Sequence, residues 1–188
     1  MTLNSYPTIP ATGAGAMLPV VAHPPGELLT VNESRNPLLR DVFGPGVHFK
    51  PLRLDLEAGC WVILVVLDPG TKMPIHYHTG IAEAYTLAGR WYYLEYPDQP
   101  QTAGSYVYRP AGSVHTFMCP ESNTEQTVIL IRIEGANVNF TDDGRFHSML
   151  DAVMIHHATC MVAEDQEVGP VSYILGGGAG LTVLDSNP

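Results

Sequence analysis

Basic residues are the first shortage in this chain. Nine Lys and Arg stand against nineteen Asp and Glu, a formal net charge of −10, and the nine are scattered singly. A surface of that sign argues against a nucleic-acid backbone or an anionic membrane as partner, and it offers no dedicated phosphate clamp. Cysteine is scarce as well: Cys60, Cys119 and Cys160 lie far apart with no CxxC spacing. An odd, sparse set suits reduced thiols better than a disulfide framework, and each is expected as a buried small apolar residue. Long hydrophobic runs are missing too. "WVILVVL", residues 61–67, is the length of a strand and not of a membrane span. The opening "MTLNSYPTIPATGAGAMLPVVAHPPGE" has no basic start and only a short apolar run, a poor secretion signal. A soluble, cytoplasmic protein is the expectation.

What is present fits one globular domain of 188 residues, 45% hydrophobic and 15% charged. Residues 1–25, rich in Pro, Gly, Ala and Thr, read as an N-terminal arm. Residues 26–145 read as a barrel of short strands. "VHFKPLRLDL" alternates as a half-buried strand does, and "CWVILVVL" is apolar throughout, a strand covered on both sides. "AYTLAGRWYYLEY" reads as two strands meeting at Ala88-Gly89-Arg90. "GSYVYRPAG" is a strand closed by a turn, "HTFMC" its return, and "QTVILIRIEGANVNF" one last long strand. Many short strands with regular turn signals point to an all-β barrel or sandwich. Residues 146–188 change character. Leu150, Val153, Met154, His157, Met161 and Val162 recur at helical intervals between Asp151 and Gly169-Pro170. That pattern predicts one amphipathic helix packed on the barrel, followed by a Gly-rich tail as loop or edge.

The chemistry concentrates in two stretches. In "GTKMPIHYHTGIAEAYTLAG" (70–89), His76 and His78 are two residues apart, so an extended chain points both imidazoles to one face. In "GSYVYRPAGSVH" (104–115), a strand turns at Pro-Ala-Gly and its return begins with His115. A small barrel can place His115 against the first pair. The other five histidines, His23, His48, His147, His156 and His157, show no such arrangement, and the last two are expected at the surface or in packing.

These stretches resemble the paired motifs of the cupin superfamily, which implies a double-stranded β-helix, or jelly-roll, barrel. The first motif, Gly-x5-His-x-His followed by Glu and Gly, is met at Gly70, His76, His78, Glu83 and Gly89. The second runs from Gly104 through Pro110 and Gly112 to His115, with Cys119 where the motif has Asn. The resemblance implies His76, His78 and His115 as metal ligands. One residue is missing between Glu83 and Gly89, which reverses the strand face expected for that carboxylate unless a bulge restores it. Without restoration Ala82 faces the metal, and the ion has three histidines and no glutamate.

Three neutral imidazoles suit Zn, Fe, Cu, Ni or Co alike. Such a set leaves a divalent charge uncancelled, favours an incoming anionic oxygen and lowers the pKa of a bound hydroxyl. Strand alternation puts Trp91, Tyr93 and Glu95 on one face, with Tyr108 on the next strand and Phe117 beside a ligand. An aromatic, apolar pocket for a ring-bearing substrate is expected, with Trp91, Tyr93, Tyr108 and Phe117 as its contacts. Glu83, Glu95 and Tyr93 are the candidate catalytic residues. A pocket-facing Glu95 would have its pKa raised by burial and serve as a proton acceptor.

Over roughly residues 18–180 the chain looks like the cupin enzymes known as 2,4'-dihydroxyacetophenone dioxygenases, through "FKPLRLDLEAGCWVILVVLDPGTKMPIHYHTG", "QTAGSYVYRPAGSVHTF" and "DGRFHSMLDA". That resemblance implies non-haem Fe2+, dioxygen, a small aromatic hydroxyketone, and cleavage to 4-hydroxybenzoate and formate. It also suits a homo-oligomer, dimer or tetramer. A metal-binding sensor cupin without catalysis, and a cupin dioxygenase for another diketone or aromatic substrate, are the alternatives.

Overall fold

The computed structural model describes residues 28–179. Its strands are β1 (Val47–Asp55), β2 (Cys60–Leu67), β3 (Ile75–His78), β4 (Ala82–Ala88), β5 (Arg90–Tyr93), β6 (Gln101–Thr102), β7 (Tyr106–Arg109), β8 (Phe117–Met118), β9 (Thr127–Glu134), β10 (Asn137–Phe140), β11 (Phe146–Leu150) and β12 (Ile174–Gly176). The helix α1 (Ala152–Asp165) lies between the last two. Six strands form one sheet in the order β12-β1-β2-β9-β4-β7, and two three-stranded sheets, β11-β10-β3 and β6-β5-β8, complete the architecture. It is the mostly β architecture that the paired motifs imply, with the one helix that the periodicity beyond residue 145 predicts.

Burial follows the patterning. β2, flanked by β1 and β9, is buried at every position but Val62, as its unbroken apolar run requires. The edge strand β7 alternates instead, with Tyr106 and Tyr108 outward and Val107 and Arg109 on the opposite face. The core gathers Phe49, Leu54, Trp61, Ile129 and Ile133, none more than 2% exposed. Each large side chain buried there contributes about 1.5–3 kcal/mol relative to exposure.

Three expectations change. The last long strand is two: Gly135, at φ +77°, turns the chain between β9 and β10, and β10 joins a different sheet. A side chain at Gly135 would run into Thr79, so glycine is required there for space as well as for conformation. Residues just beyond 145 also join a sheet, since β11 pairs with β10, whereas β12, parallel to β1, is the edge segment expected of the Gly-rich tail. Finally, α1 buries Ala152, Ile155 and Thr159, whereas Val153, Met154 and Met161 are about half exposed. Two stripes at helical spacing compete here. The inward one packs against β1 and β11, and Val162 of the expected stripe is partly buried beside it. Asp151 caps the helix by accepting the Met154 N–H at 2.8 Å, and the helix stops at Asp165, short of Gly169. The expected N-terminal arm and the end of the Gly-rich tail, residues 180–188, lie outside the described residues.

Cys60 and Cys119 are buried as expected, but Cys160 is exposed on α1. Cys119, completely inaccessible, has its thiol pushed up to about 11 by burial and acts as a small apolar residue.

Candidate metal centre

β3 alternates so that His76 and His78 are buried while Tyr77 points to the other side. His115 precedes β8 and meets His76 across an isolated antiparallel bridge. The result is a cluster in which one ring nitrogen from each of His76, His78 and His115 lies within 4.8 Å of the others. All three are nearly inaccessible, at 7, 4 and 1% exposure.

The hydrogen bonds decide which nitrogens face inward. Nδ1 of His76 donates to the Pro74 carbonyl at 2.7 Å, and Nδ1 of His115 donates to the Ser113 carbonyl at 2.9 Å. Nδ1 of His78 donates to the Asn137 side-chain oxygen. A carbonyl oxygen can only accept, so each ring carries its proton on Nδ1 and keeps the Nε2 lone pair free. Three buried Nε2 lone pairs, each ring fixed by an outer partner, are what a metal ion needs. Charge agrees. Burial above all holds the three imidazoles below their usual pKa, His78 at about 4 and His115 at about 2, with Arg109 adding to the effect in all three and neighbouring rings in His78 and His115. They remain neutral ligands rather than cations.

The cluster borders a cavity of about 90 Å³. Tyr93, Trp91 and Phe117 form one wall. Trp91 stacks on Phe117 at 4.5 Å and donates its indole N–H to Thr86 Oγ1 at 2.9 Å. At 1% exposure Trp91 is a fixed part of the core wall. Tyr93 packs edge-on against His115 at 4.5 Å. Burial pushes its hydroxyl up to about 12, partly opposed by Arg109, so it stays a protonated phenol that can donate a hydrogen bond.

Other candidates are placed elsewhere. Ala82 faces the cavity, and the carboxylate of Glu83 is on the opposite face of β4. It accepts from Tyr106 Oη at 2.6 Å and from Arg132 Nη1 at 2.8 Å, partners that hold it below the ordinary carboxylate range. The anticipated bulge exists, at the β4–β9 pairing between Thr86 and Ala88, but it lies past Glu83 and leaves that residue's face unchanged. Tyr108 pairs with Glu83 on the outer face, 53% exposed, and lines no part of the cavity. Glu95 lies in a turn beyond the end of β5, because the strand stops at Tyr93. Partial desolvation pushes its pKa upward, but the Thr116 amide, at 3.0 Å, with the Thr116 hydroxyl and the charge of Arg109, outweighs that and holds it low. Its proton affinity is therefore reduced, not raised.

Two residues of the site escape a motif-based reading. Asn137 sits directly opposite His78 on β10, which explains the hydrogen bond between them. An Asn137–Asn139 pair at strand spacing in an otherwise apolar segment is its sequence signal. Arg109 ends β7 and lines the cavity, its guanidinium 4.1 Å from the centre of the Tyr93 ring.

With this geometry established, relatives can be compared. The sequence model of the ChrR Cupin-like domain matches residues 39–136. The chain belongs to this cupin-like family. A Ralstonia eutropha JMP134 protein of unknown function with a cupin-like fold shares 37% identity over 84% of this chain and 97% of its own, with a TM-score of 0.80. An RmlC-like cupin from the same organism, at 21% identity, superposes with a TM-score of 0.70 over 77% of this chain and 92% of its own. An acetylacetone dioxygenase from Acinetobacter johnsonii, at 16% identity, superposes with a TM-score of 0.61 over 72% of this chain and 92% of its own. At those identities the last two establish the shared fold alone. No curated protein sequence matches the chain. No helix among the described residues is long and apolar enough to cross a membrane.

Proposed function

We propose that this cupin is a metal-dependent dioxygenase that cleaves the carbon–carbon bond of a small aromatic hydroxyketone, 2,4'-dihydroxyacetophenone, with O2, giving 4-hydroxybenzoate and formate. The observation that carries the reading is the set of three Nδ1-anchored imidazoles opening onto an apolar, aromatic cavity. His76, His78 and His115 would hold Fe(II), which supplies a Lewis acid for the ketone and α-hydroxyl oxygens and a position for O2. The donor set admits Zn, Ni, Co or Cu equally. A superposable acetylacetone dioxygenase supports oxygen chemistry on this fold.

The remaining roles belong to the chain. Phe117 and the Tyr93 ring hold the substrate's ring, and the Tyr93 hydroxyl donates a hydrogen bond. Glu95, ionised at neutral pH and felt electrostatically by both His76 and Tyr93, supplies a fixed negative charge beside the site instead of the base its sequence position suggested. The apolar wall excludes water from the reacting carbons.

Oxygen uptake by protein loaded anaerobically with Fe(II) tests the reading, with 2,4'-dihydroxyacetophenone and 2,4-pentanedione as substrates. Uptake with the hydroxyketone, together with formate release, is expected. Uptake with the pentanedione alone would move the substrate to diketones. Stoichiometric Zn with no uptake from either would leave a metal-holding sensor instead.

A further inference from the structure

Among the described residues, the buried side-chain nitrogens left without a hydrogen bond are Nε and Nη2 of one guanidinium, that of Arg109. No carboxylate among those residues comes within ion-pair distance of it. A buried cationic donor with no acceptor is costly, more so than a neutral one, and native proteins rarely retain one without a partner. The two atoms are also a matched pair. Nε–H and Nη2–H point the same way from one edge of the planar group, at the spacing of the two oxygens of a carboxylate.

The surroundings point to the same ligand class. Arg109 pairs with Ala82 across β4 and β7, on the face that lines the cavity. Tyr93 covers one face of the guanidinium and Tyr96 lies 5.5 Å away, so the edge is the part left to a ligand. Glu95 feels the charge of Arg109 without pairing to it, its carboxylate accepting the Thr116 N–H at 3.0 Å, and Glu83, the carboxylate residue in the cavity wall, is committed to Arg132 and Tyr106 on the outer face.

We propose that the Nε–Nη2 edge of Arg109 is a seat for the carboxylate of an aromatic acid, which turns its ring toward Tyr93 and Phe117. The identity of that acid rests on the reading above: on the proposed reaction it is the 4-hydroxybenzoate product, formed at the cleaved bond. If the reaction is different, the same seat takes a substrate that carries the carboxylate from the start.

The test is binding, not turnover. Wild type, Arg109→Met and Arg109→Lys, each loaded with Zn(II) and again after chelation, are titrated with 4-hydroxybenzoate and with 4-hydroxybenzamide, its neutral isostere. In the chelated wild type the acid is expected to bind at least about tenfold tighter than the amide. Arg109→Met should abolish that preference, and Arg109→Lys should keep part of it, since an ammonium presents a charge without the fork. Equal affinities in wild type, no binding of the acid, or a preference that survives in Arg109→Met would overturn the proposal. Should Arg109→Met fail to fold by circular dichroism, an undiminished preference in Arg109→Lys overturns it equally. So would a crystal structure with 4-hydroxybenzoate in which Arg109 is paired to Glu95 and the acid lies elsewhere. Oxygen uptake separates the two sources. Competitive inhibition by 4-hydroxybenzoate, weakened in Arg109→Lys, identifies the acid as product. Acid binding with no uptake from the hydroxyketone retains the seat, assigns it to a substrate acid, and removes the proposed reaction.

Discussion

His76 and His115 face each other across a two-residue bridge, their main chains exchanging hydrogen bonds of 3.0 and 2.9 Å and their rings 4.4 Å apart. Main-chain hydrogen bonds therefore tie the two motifs together directly at two of the proposed ligands.

His115→Ala follows from that tie. The bridge is made by main-chain atoms, so the fold should persist while the third ligand is lost. Metal affinity is expected to fall by more than about 100-fold, because loss even of an outer partner costs 10–100-fold. Competition against a chromogenic chelator measures it. Retained stoichiometric metal in this variant would remove His115 from the centre.

Asn137→Leu tests the outer partner. The side chain is 8% exposed and fixes the proton of His78 on Nδ1. Without that acceptor the ring can shift its proton to Nε2 or turn, and metal affinity should drop by about 10–100-fold. An affinity unchanged from wild type would show that the ring is held by packing alone.

The difference between these two residues shows what the sequence carries. His76, His78 and His115 are legible because ligand spacing follows directly from strand period and turn chemistry, both local properties. Asn137 and Arg109 are not, since their roles depend on which strands become neighbours: β10 beside β3, and β7 beside β4. For Glu83 the short spacing to Gly89 already signals the reversed face, but not what receives its carboxylate. Its place in a motif is local, while its partner Arg132 comes from β9. The helix itself is legible from its period, but the face it buries is only partly so, because two stripes satisfy that period and docking on β1 and β11 chooses between them. The turn at Gly135 hides inside an apolar run that spans two sheets.

Glu83→Gln separates the motif from the geometry. Its carboxylate is tied to Arg132 and Tyr106 on the outer face, so metal affinity should stay within about twofold of wild type. Stability should fall by less than about 1 kcal/mol, as for other solvent-screened ion pairs. A large loss of metal in this variant would place the carboxylate in the site after all.

Trp91→Ala should act on stability before activity. Trp91 is 1% exposed, stacked on Phe117 and hydrogen-bonded to Thr86, so truncation leaves a cavity and an unpaired hydroxyl. A loss of about 3–5 kcal/mol is expected by urea unfolding. A variant as stable as wild type but unable to bind ligand would make Trp91 a contact residue instead of a wall.

The pH dependence of the metal-free protein has a fixed sign. His76, His78 and His115 all sit below the ordinary imidazole value of 6.5 in the native state, chiefly through burial. Above about pH 7 both native and unfolded chains hold these rings neutral, and they contribute no pH dependence. As pH falls through 6.5, the unfolded chain takes up protons that the native state refuses, so stability declines. For His78 the decline levels off near pH 4, and for His115 it continues toward pH 2. Each such proton contributes a slope of about 1.4 kcal/mol per pH unit. Urea unfolding of chelated protein at steps between pH 7.5 and 4.5 should show this loss, and His115→Asn should be shallower by one proton's share. Stability that holds constant down to pH 5 would mean that the rings accept protons where they stand, and the neutral, preformed ligand set would be wrong.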